Sequence, residues 1–166
     1  MLKFIFIISL SFILPSLVST DSNADGCQRH PIFCQIIDNH PTIDKKYAFN
    51  LSKLIVKIAH THKIDPRLLT AIMAQESKYD VTKKNCNERY CTDFGIAQIN
   101  WKTADVYNFD RNLLTSDLEY SINAGAIVLA EIKARYAHKE EDYWTRYNAS
   151  SPSKRNEYKL LVARYL

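Results

Sequence analysis

An all-α fold, with at most a minimal β segment, follows from three features of this sequence. Apolar residues recur at helical spacing over long stretches. Alternation with period two is confined to Gly95–Trp101. There are 3 glycines, too few for the tight turns of a β-sandwich or barrel. With 166 residues the chain fits one domain, and 46% hydrophobic against 24% charged residues excludes wholesale disorder. No internal repeat is present.

The first long stripe runs from Ile43 to His62, where Tyr47, Leu51, Leu54, Ile55 and Ile58 share a face and Lys45, Lys46, Lys53 and Lys57 fall between them. Asp65-Pro66 then supplies an N-cap and a proline at the first helical position, opening a helix through Arg67–Ser77. Another helix starts at Ser116 or Asp117 and carries Leu118, Ile122, Leu129 and Ile132 in its stripe. The last begins near Pro152-Ser153 and is expected to bury Tyr158, Leu161, Val162 and Tyr165.

The N-terminus reads as an address. Lys3 precedes an uncharged run from Phe4 to Val18 that is broken by Pro15 and falls short of the ~20 residues a membrane-spanning helix needs. This is the pattern of a secretory signal peptide. Small residues at Ser22 and Ala24 place the cut after Ala24, giving a leader of 1–24 and a mature domain of 25–166. A cut near Ser19 or Thr20, or an uncleaved anchor, are the alternatives. Export to a periplasm or the medium permits disulfides. Cys27, Cys34, Cys86 and Cys91 allow three pairings, of which the two local ones close short loops cheaply. The competing zinc site has spacings unlike C-x2-C and lacks paired histidines, so no metal is expected. Neither a dinucleotide-binding nor a P-loop glycine motif occurs, and no cofactor is expected. A net charge of +4 without a block of five like charges speaks against nucleic-acid binding. Nothing indicates an oligomer, and a monomer is the default.

One carboxylate stands out. Leu69, Ile72 and Met73 precede Glu76 by seven, four and three residues, which puts Glu76 on the apolar face of its helix. A carboxylate facing a core loses hydration when ionised, so its pKa rises above about 4.3. That suits a general acid near neutral pH. The competing reading places Glu76 at a helix end, paired with Arg89 or Arg146.

Glu76-Ser77, then Gly95-Ile96-Ala97-Gln98-Ile99-Asn100, then Tyr147-Asn148-Ala149, in that order, resemble the motifs of the soluble lytic transglycosylase (SLT) family of the lysozyme-like superfamily. The small exported members that accompany type IV secretion and conjugation systems are similar in layout. The resemblance covers Lys45 to Leu166, and Ser121–Leu129 is similar to the family's helix between the second and third motifs. It implies a lysozyme-like single domain cleaving peptidoglycan between N-acetylmuramic acid and N-acetylglucosamine, with a 1,6-anhydro end as product. Glu76 matches the single catalytic acid, later base. Gln98 matches a residue lining the saccharide groove, Tyr147 the tyrosine that hydrogen-bonds the carboxylate, and Asn148 its neighbour. Ser77 matches a local hydrogen-bonder, and Gly95 a point of close approach by backbone or sugar. Glycan strands and, through the layout, secretion-machinery components are the implied partners.

The chain departs from the family at Ala97, where Met is usual, and at Ser150, where Gly follows Tyr-Asn-Ala. Its loop before Gly95 carries the Cys86/Cys91 pair and Lys83-Lys84 where many relatives place a serine, with Asn85 or Thr92 as substitutes. Ordinary glycosidases use two carboxylates. Asp93, Glu88 and Asp105 are at hand, but none lies in a motif that demands catalysis, which favours a one-carboxylate scheme. Two alternatives compete: a hydrolase resembling goose-type lysozymes with Asp93 as base, and a catalytically silent peptidoglycan-binding secretion-assembly protein on this fold.

Overall fold

Helix starts in this chain are set by side chains that satisfy, or dispense with, the first unpaired N–H groups. The computed structural model describes residues 27–166, so the expected leader 1–24 lies outside the described residues. In chain order the described elements are α1 (Pro31–Asn39), α2 (Lys45–Thr61), α3 (Pro66–Ser77), β1 (Lys84–Cys86), β2 (Cys91–Phe94), β3 (Ile99–Asn100), α4 (Trp101–Tyr107), α5 (Arg111–Ser116), α6 (Leu118–Tyr136), a 3-10 turn (Tyr143–Tyr147) and α7 (Pro152–Ala163). Asp44 caps α2 by accepting from the Tyr47 N–H, and Asp65 caps α3 by accepting from Arg67. Asn100, Asp110 and Asp117 cap α4, α5 and α6 in the same way. Proline opens α1, α3 and α7, where its missing N–H costs nothing.

The four expected helices are present, and the chain is all-α with a small sheet. In α7, Tyr158 and Val162 are buried and Leu161 is half-buried, as is Tyr165 just beyond the helix end. Three strands form one antiparallel sheet in the order β1-β2-β3, with Asn85 opposite Asp93 and Phe94 opposite Ile99. The alternating segment is mostly something else: residues 95–98 form turns, Ile99–Asn100 alone is strand, and Trp101 starts α4. Both local disulfides form, Cys27–Cys34 and Cys86–Cys91, the second closing the β1–β2 hairpin. Among the described residues no helix is long and apolar enough to cross a membrane.

The centre of the core is α3. Leu68, Leu69, Thr70, Ala71, Ile72, Met73, Ala74 and Ser77 are all buried, so this helix is covered nearly all round. It packs against α1, α2 and α7, while α6 packs on α2, α5 and the 3-10 turn. The hairpin and β3 stand beside the end of α3 and carry few core side chains, chiefly Phe94 and Ile99.

Gly95 makes the sheet fit the helices. Its φ of +77° lies in the left-handed region, and a Cβ there would come within 2.0 Å of the Leu114 carbonyl oxygen and 2.3 Å of Ser121 Oγ. Of the two close approaches expected at this position, the structure has the backbone one, against the end of α5 and the first turns of α6. Gly95→Ala is therefore expected to destabilise the fold by at least ~2 kcal/mol, read as a melting temperature about 5 °C or more below wild type. An unchanged melting curve would contradict this account of the position.

Candidate active site

Glu76 sits in the last turn of α3, and the chain leaves the helix through two consecutive left-handed residues, Lys78 (φ 55°) and Tyr79 (φ 68°). That reversal is anchored from below. Tyr79 is buried, its carbonyl accepts from the Tyr47 hydroxyl at 2.7 Å, and its own hydroxyl accepts from Asn39 at 3.2 Å. Lys83 Nζ donates to the Glu76 backbone carbonyl at 2.8 Å, satisfying an acceptor that the helix end leaves open.

The Glu76 side chain is half-buried. The Tyr158 hydroxyl donates to its Oε1 at 2.6 Å, and the Asn148 side-chain amide bonds it as well. Burial raises the Glu76 pKa above the ordinary 4.5; the bonds from Tyr158 and Asn148 oppose that rise, Asp93 adds to it and Lys83 lowers it, with the net direction upward. Burial, followed by the nearby Glu76 charge, pushes the Tyr158 phenol far above its ordinary range, so this hydroxyl remains a donor.

The carboxyl opens into a cleft of about 610 Å³ whose other walls include Lys84, Asn85, Asp93, Gln98 and Asn148. A second hollow of about 710 Å³ shares Thr103, Val128, Tyr147 and Asn148 with it, so the trough continues along α4 and α6. Gln98, itself at φ 45°, donates through Nε2 to the carbonyls of Gly95 at 2.8 Å and Lys83 at 3.1 Å, pinning the turn to the base of the hairpin. Asp93 faces the cleft from β2. Its Oδ1 accepts from Asn100 at 2.9 Å, and its Oδ2 accepts from Thr92 Oγ1 at 2.7 Å and Asn85 at 3.1 Å.

Residues 53–160 match the Transglycosylase SLT domain family. The chain belongs to that family. No curated protein and no solved structure matches it. Membership points to lytic transglycosylase activity on peptidoglycan, which lies outside the cytoplasm. The matched span of this SLT domain runs from the middle of α2 into α7 and holds every cleft residue named above.

Within the SLT domain, one expected contact falls to a different residue. Tyr147 does not bond Glu76: its hydroxyl donates to the Ala97 carbonyl at 2.9 Å. Tyr147 ends the 3-10 turn, which lies against α6, and its hydroxyl stands over Gly125 beside Ala97, so the Ala97 carbonyl accepts its hydrogen bond. The donor to Glu76 comes instead from α7, which packs directly on α3. Tyr158 was legible only as a core residue; the usable signal was a hydroxyl on a buried helix face, which needs a partner. Gln98 and Asn148 line the cleft beside Glu76. Ser77 does not reach it, its Oγ donating to the Met73 carbonyl at 3.2 Å within α3. Gly95 stands behind the cleft against Leu114 and Ser121. Glu88 is exposed on the hairpin turn, and Asp105 pairs with Arg111. Arg146 pairs with Glu140 rather than Glu76, and Arg89 lies exposed on the hairpin turn. Among the described residues no group of three or more His, Cys, Asp and Glu is arranged to hold a metal ion.

The raised Glu76 pKa makes a stability statement. The folded state favours the protonated carboxyl, so its contribution is present in full below the ordinary 4.5 and is lost as pH rises through the higher folded value. Glu76→Gln cannot ionise. It is expected to melt above wild type at pH 7, with the gap closing as pH falls to about 4. Thermal unfolding across that range checks it; a gap that widens on acidification refutes the sign.

Proposed function

We propose that the chain is a lytic transglycosylase that breaks the β-1,4 bond between N-acetylmuramic acid and N-acetylglucosamine with Glu76 as its single catalytic acid and base. The observation carrying this reading is the half-buried carboxyl of Glu76, bonded by Tyr158 and Asn148 at the edge of a long trough. A protonated Glu76 gives its proton to the glycosidic oxygen as the bond from the muramoyl C1 breaks. The substrate's own N-acetyl oxygen shares the positive charge at C1. Glu76, now a carboxylate, takes the proton of the muramoyl 6-hydroxyl, whose oxygen closes on C1 to give the 1,6-anhydro ring. Water is consumed nowhere. Gln98, Asn148 and Tyr147 shape the groove that orients the sugars.

Asp93 favours a second reading. It faces the same cleft as Glu76, as the second carboxylate of a hydrolase would, and so keeps a goose-type-lysozyme-like outcome in play. Its two oxygens already accept three side-chain hydrogen bonds, which supports a wall-shaping part instead. A peptidoglycan digest read by mass spectrometry separates these readings. Anhydro products, one water lighter than reducing-end muropeptides, are expected. Glu76→Gln is expected to lose about 10²–10⁴ in rate, and Asp93→Asn to keep the anhydro product. Reducing-end products abolished by Asp93→Asn would establish the hydrolase, and no turnover by wild type would favour a silent binding module.

We read residues 1–24 as an export leader and 25–166 as the mature domain, on the uncharged run Phe4–Val18 and the small residues before Asp25. N-terminal sequencing of the exported chain is expected to begin at Asp25. The type IV secretion or conjugation subtype rests on the similarity in layout alone. A deletion strain that still assembles such a machine at the wild-type rate would remove it.

A further inference from the structure

The two side-chain donors to Glu76 come from different segments, Tyr158 from α7 and Asn148 from the position just after the 3-10 turn. One carboxylate joins these segments. Arg146, in the 3-10 turn, donates to Glu140 Oε1 through Nε at 2.8 Å and also through Nη2. Arg155, in the first turns of α7, donates through Nη1 to Glu140 Oε2 at 2.6 Å. Glu140 is itself fixed to the end of α6, since its backbone N–H bonds the Tyr136 carbonyl at 3.0 Å. The Tyr136 ring lies 3.9 Å from the Arg146 guanidinium. The spacing matters: Arg146 is two residues before Asn148, and Arg155 is three residues, about one helical turn, before Tyr158. These side chains are 18–27% exposed, more sheltered than the ordinary surface pairs whose worth is small.

We propose that Glu140 is a positioning residue for the Glu76 carboxyl: with one oxygen on Arg146 and the other on Arg155, it holds the 3-10 turn and α7 at the separation that lets Asn148 and Tyr158 both reach Glu76. This rests on the reading of Glu76 as the acid and base. Without the clamp the two segments part, the donors loosen, and the carboxylate form of Glu76 loses the hydrogen bonds that oppose its desolvation. Its proton affinity then rises, and its orientation for passing that proton is less well defined.

The test is a ¹³C NMR titration of the Glu76 side-chain carboxyl, assigned through Glu76→Gln, in the wild-type chain and in Glu140→Gln. The groups facing Glu76 are Tyr158 from α7, Asn148 and Tyr147 from the end of the 3-10 turn, Asp93 from β2 and Lys83 from the turn after α3. None of them is altered by the substitution. Loosened donors move the Glu76 midpoint up, by about half a unit. Simple deletion of a distant negative charge would move it down, so direction distinguishes the two. Peptidoglycan turnover is expected to show kcat about 3–10-fold lower with KM within about twofold. Glu119→Gln, which removes the exposed pair with Lys57, is the control and should leave the titration unchanged. A midpoint unchanged or lowered in Glu140→Gln, accompanied only by a lower melting temperature, overturns the proposal. Full activity of Glu76→Gln alongside an upward midpoint would instead overturn the catalytic reading while leaving the clamp. If Glu140→Gln does not fold, Glu140→Asp, which keeps the charge but is one methylene too short to hold both Arg146 and Arg155, is expected to raise the midpoint in the same way, and its failure to do so is equally decisive against the clamp.

Discussion

A carboxylate placed where an apolar helix runs out into a polar cleft constrains the architecture around it. Nearly all of α3 is buried, so Glu76 cannot take its hydration from a solvated helix face. A partly desolvated carboxylate without partners is costly, and none of its side-chain hydrogen-bond donors comes from its own helix. The partners must come from elsewhere in the chain, and both come from its last quarter. For Tyr158 to arrive, α7 has to pack on α3; for Asn148 to arrive, the 3-10 turn has to end beside it. The C-terminal elements, short and polar as they are, are held to α3 by this one acceptor as well as by burial of Tyr158 and Val162.

The two carboxylates of the cleft are furnished differently. Glu76 receives a phenol from the core and an amide from a loop end, and burial dominates its proton affinity. Asp93 receives three side-chain bonds from its own strand neighbourhood, Asn85, Thr92 and Asn100. The sheet contributes little to the core, but it supplies one complete wall of the trough, and the Cys86–Cys91 bond fastens that wall where packing does not.

Much of this was legible in the sequence, for reasons that also explain the omissions. Helices α2, α3, α6 and α7 are long enough to display a stripe, and Asp65-Pro66 and Asp117 mark starts that depend on local chemistry alone. Helices α1, α4 and α5 span nine residues or fewer, too short for a period to declare itself. The β1 strand is exposed on every residue, so it has no inner face to alternate with. Glu76 was found because its neighbours at three, four and seven positions are apolar, which is a property of one helix. Its donor was not found because the choice between Tyr147 and Tyr158 is made by how α6 and α7 pack, a relation between elements. The Glu140 clamp was invisible for the same reason, since neither arginine stands at a spacing that local rules read.

The contact between Ala97 and Gly125 carries an implication for how the sequence can drift. A Cβ at position 125 would lie 2.6 Å from that of Ala97, and the Tyr147 hydroxyl stands 3.3 Å from the same point. The two positions share one small volume beneath the cleft wall. Position 125 cannot gain a Cβ without crowding Ala97 and the tyrosine that the Ala97 carbonyl holds, so bulk gained at 125 must be given up at 97. Divergence here should proceed by paired exchange, with the intermediate carrying either a clash or a void.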